Sequence, residues 1–194
     1  MVDVDGVLIT HPNAKGWSVH INRDLGISIE TLQHRFFDVH WDDIVCGRAA
    51  LRDRLGPVLE DVGPDVSCDE LIDYWFANDA CIDFELLTAL KRPRDLGIEL
   101  HLATVQEHER ACYLWNTLDF RSHFDGMHYS ADLGCAKPDP AFFKMIEDRT
   151  RFAASEIFFI DDKVANVEAA RIAGWAAARW TPGIELGSLL SNVV

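Results

Sequence analysis

No apolar run in this chain is long enough to cross a membrane, which takes about 20 consecutive residues. Its start shows none of the charged, then apolar, then small-residue order of an export leader, so no signal peptide is expected. The five cysteines, at positions 46, 68, 81, 112 and 135, are odd in number and form no metal-type pairs. They read as reduced packing thiols, and a cytoplasmic location follows as the expectation. Positive charge is scarce: 18 Lys and Arg stand against 32 Asp and Glu, a formal net charge of −14. Phosphate backbones are held by Lys and Arg, so neither nucleic acid nor a membrane is expected as a partner. Repeats and low-complexity stretches are also lacking. What remains is 194 residues, 48% of them apolar, enough to bury a core as one domain or as a domain with an insertion.

Between residues 11 and 84 the apolar spacing is helical, with almost no strand signal. Ser28 is placed to cap a helix running through Ile29 towards Trp41. Gly47 interrupts, Arg48 to Leu55 reads as a second helix, and Ser67-Cys68-Asp69-Glu70 is a capping-box pattern before Leu71 to Phe76. From Asp83 onward, strand and helix signals alternate. Helix 84–96, with Pro93 disturbing its last turn and Gly97 ending it, precedes strand 98–103. Helix 106–117, strand 126–129, helix 138–148, strand 157–160, helix 164–173 and strand 175–179 complete the series, with a short docking turn at 186–190. Such alternation predicts a parallel α/β sheet with helices on both faces.

Four short stretches carry chemistry. Val2 to Leu8 reads as a brief apolar strand ending in two carboxylates, Asp3 and Asp5, with Gly6 directly after them. In an open α/β sheet ligands gather beyond the carboxyl ends of the strands; the alternative is an Asp-Gly turn with a spare acid. Thr104 closes strand 98–103. Lys137 precedes Pro138-Asp139-Pro140 and a helix, where a lysine is equally at home as a surface loop residue. Asp161 and Asp162 close strand 157–160; they also suit a helix N-terminus, where the dipole favours acids.

In this order and spacing, the four stretches resemble the haloacid dehalogenase-like (HAD) superfamily, in its phosphatase branch with a helical cap. The resemblance implies a Rossmann-like core from 1–10 and 85–194, and an all-helical cap from 11–84. It assigns Asp3 as the nucleophile that forms an aspartyl-phosphate and Asp5 as general acid, then base. Thr104 and Lys137 would hold the phosphate. Mg²⁺ would be held by Asp3, the Asp5 carbonyl and Asp162, with Asp161 as helper; Asn166 also fits the pattern. The implied activity is hydrolysis of a small phosphorylated metabolite such as a sugar phosphate. A dehalogenase would lack an acid at position 5. A phosphomutase and a catalytically silent binding protein on the same fold remain alternatives. One departure is plain: Val105 follows Thr104 where the family usually carries Asn, so a side-chain amide is missing. His40, Trp41 and Asp43 are weaker candidates for substrate contact. His101 and His108 read as structural or surface residues. The first strand is unusually short, and oligomeric state is not legible.

Overall fold

A computed structural model describes residues 1–11 and 16–190; positions 12–15 of the predicted helical stretch lie outside the described residues. Four short parallel strands are built, β1 (His101–Thr104), β2 (Gly126–Tyr129), β3 (Phe158–Asp161) and β4 (Ala176–Arg179). β1 pairs with β2 and β3 with β4, with Thr104 opposite Tyr129 and Asp161 opposite Arg179. The chain start joins the two pairs. Val2 bridges Leu102 on one side and Ile160 on the other, both in parallel sense. Its N–H donates to the His101 carbonyl and that of Asp3 to the Ile160 carbonyl, each at 2.9 Å.

The first strand, expected to be short and to end at Asp3 and Asp5, is shorter still. Only Val2 pairs with β1 and β3, because the chain folds back at once: the N–H groups of Leu8 and Ile9 both reach the Val4 carbonyl, at 2.8 and 2.9 Å. The N–H groups of Gly6, Val7, Leu8 and Ile9 are therefore satisfied within a tight turn rather than across the parallel sheet. Val4, Val7, Leu8 and Ile9 still bury their side chains, so their apolar character serves the core and not a strand.

The helices follow the predicted periodicity with shifted ends. Helix Phe84–Asp95 contains Pro93 and closes at the left-handed Gly97, φ +84°. Asp83 starts it by accepting from the Leu86 N–H at 2.8 Å. The capping box is present: the Ser67 hydroxyl accepts from Glu70 N–H, and the Glu70 carboxylate accepts from Ser67 N–H. Two helices widen locally into π-type turns, over Gln33–Phe37 and Tyr113–Thr117, splitting the continuous helices that the sequence suggests. Leu51–Val62 is longer and starts later than the helix expected at 48–55.

Apolar side chains gather in three clusters. One surrounds the chain start and joins Val2, Val4, Leu8 and Leu102 to Leu86, Leu90 and Phe120. A second lies behind the β3 face, where Phe142, Phe143, Phe159 and Trp175 are buried edge to face. Burying each such ring contributes about 2–3 kcal/mol. The third draws its buried members from residues 21–76 alone, including Phe36, Leu55 and Trp75. Trp41, considered as a substrate contact, packs in that cluster against Phe36, Phe37 and Trp75, and Asp43 is paired with Arg48.

Candidate active site

The carboxyl ends of β1 and β3 and the turn after Val2 meet at one point, and three carboxylates converge there. Asp3, Asp161 and Asp162 each offer an oxygen within 4.8 Å of the others. Asp3 and Asp161 are buried. Lys137 stands between them with its side chain 1% exposed, and its ammonium reaches Asp3 Oδ1 at 2.9 Å and Asp161 Oδ2 at 2.6 Å. A third contact goes to the Ala103 carbonyl at 2.9 Å. An ammonium has three N–H donors, and all are engaged by protein. The residue that reads in sequence as a phosphate ligand is thus, in this structure, a charge bridge between two acids.

One cation cannot fully compensate two buried carboxylates, and the pair splits. Burial pushes the Asp3 carboxyl up to about 7, against the opposing pull of Lys137 and with a further push from the negative Asp161. For Asp161, burial acts upward too, but Lys137, its hydrogen bonds to Asp3 and Lys137, and the Lys163 N–H together hold it below the ordinary carboxylate value. Asn166, 4% exposed, donates to both Asp161 oxygens at 3.1 and 3.0 Å. Asp161 is therefore saturated with donors.

Asp162 is the opposite case. Its Oδ1 is buried and has no hydrogen-bond partner. An orphaned buried carboxylate oxygen beside two more acids is a donor set suited to a hard divalent cation that takes oxygen ligands. Gly6 explains how Asp162 comes so near. At φ +81° a Cβ on residue 6 would lie 2.6 Å from both Asp162 Cγ and Oδ2, so only glycine leaves room for the acid.

Asp5 sits apart from this cluster, on the turn, with an exposed face. Crowding by surrounding protein raises its pKa first and the carboxylate of Asp79 second, against the pull of Arg110, Gln106 and Lys163. The Gln106 amide holds Asp5 directly, Nε2 to Oδ2 at 2.7 Å. Thr104 is 1% exposed, and the same amide lies 3.5 Å from its hydroxyl.

Sequence reasoning missed Gln106, Asp79 and Arg110. Gln106 follows Val105 directly and has a local signal, an amide one residue beyond the position where the family's is lost. Asp79 and Arg110 have none, because they meet only through the fold. Arg110, 2% exposed, donates to the Phe76 carbonyl at 3.1 Å and to the Asp79 carbonyl, and pairs with the Asp79 carboxylate at 3.3 Å. Its guanidinium lies over the rings of Phe76 and Tyr113, at 5.2 and 5.4 Å. His11 also contacts Asp79. His101 is a buried member of a stacked pair with His128, and His108 approaches the Tyr129 hydroxyl at 3.3 Å. His40 lies 6.2 Å from the Phe36 ring. A cavity of about 800 Å³ between helices Phe84–Asp95 and Leu186–Leu190 is lined by none of Asp3, Asp5, Asp161 and Asp162.

The chain is an α/β protein with a parallel sheet and acids at its carboxyl edge, and comparison with known proteins gives its class. The family model for haloacid dehalogenase-like hydrolases matches residues 1–174, and the chain belongs to that family. A phosphorylated carbohydrates phosphatase of Thermotoga maritima is 29% identical over 86 residues, 44% of this chain and 40% of that protein. The chain thus matches less than half the length of that relative. Among solved structures, a HAD family enzyme of Bacteroides thetaiotaomicron, in complex with magnesium and inorganic phosphate, superposes with TM-score 0.78 at 18% identity, covering 97% of this chain and 96% of that one. The L-2-haloacid dehalogenase of Xanthobacter autotrophicus superposes with TM-score 0.65 at 16% identity, over 97% and 79% of the two chains. At these identities the superpositions speak for the fold alone. Among the described residues no helix is long and apolar enough to cross a membrane.

Proposed function

We propose that this hydrolase is an Mg²⁺-dependent phosphomonoesterase that acts on a small phosphorylated metabolite, such as a sugar phosphate, through an aspartyl-phosphate on Asp3. The observation that carries the reading is the three-acid cluster with the orphaned Asp162 oxygen, set beside a separate carboxylate, Asp5. The phosphatase match in Thermotoga maritima supports the substrate class.

Asp3, Asp162 and the Asp5 carbonyl would hold the cation, with Asp161 behind them. When bound, Mg²⁺ supplies positive charge that offsets repulsion between these carboxylates and the substrate dianion. Lys137 keeps Asp3 aligned through its 2.9 Å contact, and the Val4 N–H fixes the same oxygen at 2.8 Å. The Asp3 carboxylate attacks phosphorus as the ester P–O bond breaks, and Asp5 gives its proton to the departing oxygen. Asp5, now ionised, takes a proton from the water that attacks the phosphorus of the aspartyl-phosphate. The bond to Asp3 then breaks, releasing phosphate. Thr104 offers its hydroxyl to the phosphate oxygens, and Lys137 would reach them by exchanging one of its protein contacts.

We further propose that residues 11–84 form the cap that selects substrate, with the core in 1–10 and 85–194. The five unpaired cysteines fit a reducing cytoplasm. A dehalogenase reading, prompted by the Xanthobacter structure, conflicts with Asp5: a departing halide needs no proton.

The test is turnover of a panel of phosphorylated metabolites with Mg²⁺, with chelator, and in Asp3→Asn. Mg²⁺-dependent phosphate release that vanishes in the variant is expected. Turnover by Asp3→Asn, full activity in chelator, or halide release from 2-haloacids would overturn the reading.

A further inference from the structure

We propose that Gln106 is a positioning residue for proton transfer: its side-chain amide fixes Asp5 in the orientation that serves the leaving group. The inference deepens the phosphatase reading and rests on it.

Asp5 needs such a device. It sits on a turn rather than in a strand, keeps an exposed face, and belongs to a residue type with a short, freely rotating carboxylate. The Asp79 carboxylate repels it while Arg110 and Lys163 attract it, and Gln106 holds it by a direct side-chain hydrogen bond. Its Nε2 lies 2.7 Å from Asp5 Oδ2, a well-formed hydrogen bond. The residue is 4% exposed, and its backbone is pinned from both sides. Its N–H donates to the Ser130 hydroxyl at 3.0 Å; its carbonyl accepts from that hydroxyl at 3.1 Å and from the Ala131 N–H at 3.2 Å. Ser130 is itself fully buried. The amide therefore starts from a fixed point and reaches a carboxylate on an exposed turn.

The same nitrogen lies 3.5 Å from the Thr104 hydroxyl, so one amide links the phosphate side of the site to the acid side. Val105 offers no side-chain donor, and the amide that reaches both residues is that of Gln106. With Oδ2 held by Gln106, the transferable proton sits on Asp5 Oδ1. It moves to the ester oxygen as the P–O bond breaks, and the electron pair it leaves behind is shared with Oδ2, where the Gln106 N–H meets the growing charge. An amide is neutral and donates to Oδ2 before and after transfer, so it orients the group through the whole step.

The leaving group separates this role from a structural one. An alkyl phosphate expels a strongly basic oxygen and depends on the proton, whereas p-nitrophenyl phosphate expels a stable phenolate that leaves without it. The measurement is kcat/KM for both esters with Mg²⁺, in the wild type, Gln106→Met, Gln106→Asn and Asp5→Asn, with thermal midpoints for each. Gln106→Met keeps length and removes the amide. It should lower kcat/KM by ~10²-fold for the alkyl ester through kcat, with the aryl ester changed little and KM steady. Gln106→Asn keeps the amide but shortens its reach, and should fall between. Adding Gln106→Met to Asp5→Asn should cost nothing further, since the two act as a unit. Equal losses on both esters, or an undiminished extra loss in the double variant, would overturn the proposal while the phosphatase reading stands. A wild type inactive on both esters would sink that reading, and the proposal with it.

Discussion

At the scale of single residues, the site is a problem of three charges in a dry place. Lys137 spans Asp3 and Asp161 with its side chain 1% exposed. Removing one member of a buried ionic group leaves the others unpaired, at a cost on the order of 3–5 kcal/mol. Lys137→Met should therefore melt well below the wild type in metal-free buffer. Asp3→Asn should do the reverse. The folded Asp3 value of about 7 lies above the ordinary 3.8, so the native state binds the extra proton. Its contribution is full below pH 3.8 and is lost as pH rises through 7, which makes the ionised form a burden at pH 8. Asparagine removes that burden and still offers an oxygen to Lys137 and the Val4 N–H. Thermal midpoints at pH 8 without divalent ions check both; a Lys137→Met protein as stable as the wild type would refute the charge-bridge account. The order of the motifs made Lys137 legible as a site residue. Its three protein contacts were not, because they depend on how closely β1, β3 and the chain start approach one another.

At the scale of elements, the two linkers that bracket the helical segment pair with each other. Ile9 bridges Ile82 in antiparallel sense, the Thr10 N–H reaches the Cys81 carbonyl at 3.0 Å, and the Asp83 N–H reaches the Leu8 carbonyl at 2.8 Å. Arg110, from the helix after β1, ties this junction to the end of helix Cys68–Asn78 through the carbonyls of Phe76 and Asp79. Arg110→Met would orphan both carbonyls and leave Asp79 with His11 alone, beside Asp5. The expected loss is about 3 kcal/mol, with faster amide hydrogen exchange concentrated in residues 68–83. Exchange that stays at wild-type rates in that segment would show that the guanidinium is not a clamp. The helix itself was legible, since Ser67 and Glu70 announce it by a local capping rule. The clamp was not, because an arginine at position 110 carries no mark of a partner 31 residues earlier. Similarly, alternation in the second half gave β1 to β4 within a few residues. The first strand, expected to end at Asp3 and Asp5, shrank to the pairing of Val2, because apolar character reports burial and a buried turn satisfies it equally well.

At the scale of the molecule, acid stability is a contest among buried groups, and one pair dominates the edge of the sheet. His101 on β1 and His128 on β2 stack with ring centroids 5.3 Å apart, and His101 Nδ1 lies 3.2 Å from His128 Nε2. The outer nitrogen of His101 faces Glu99 at 3.1 Å, and Phe152 packs edge-on against the same ring. Burial first, then the neighbouring His101, Arg149 and the N-terminal amine, lower His128 to about 4, with Asp132 pulling weakly the other way. The folded value lies below the ordinary 6.5, so the unfolded chain binds the additional proton. The contribution is full above pH 6.5 and is lost as pH falls through 4, an effect on the order of 3 kcal/mol over that window. A cation forced onto the buried His128 ring, stacked on His101, would strain the β1–β2 pair, and β1 carries Thr104 at its end. His128→Gln keeps a hydrogen-bonding side chain without the titration. Urea midpoints from pH 7 to pH 4 should fall more steeply for the wild type than for the variant, the difference opening below pH 6.5. Because Asp3 titrates with the opposite sign in part of this window, the comparison between the two proteins, and not the wild-type curve alone, isolates the histidine. Parallel curves would mean that acid weakens the sheet elsewhere.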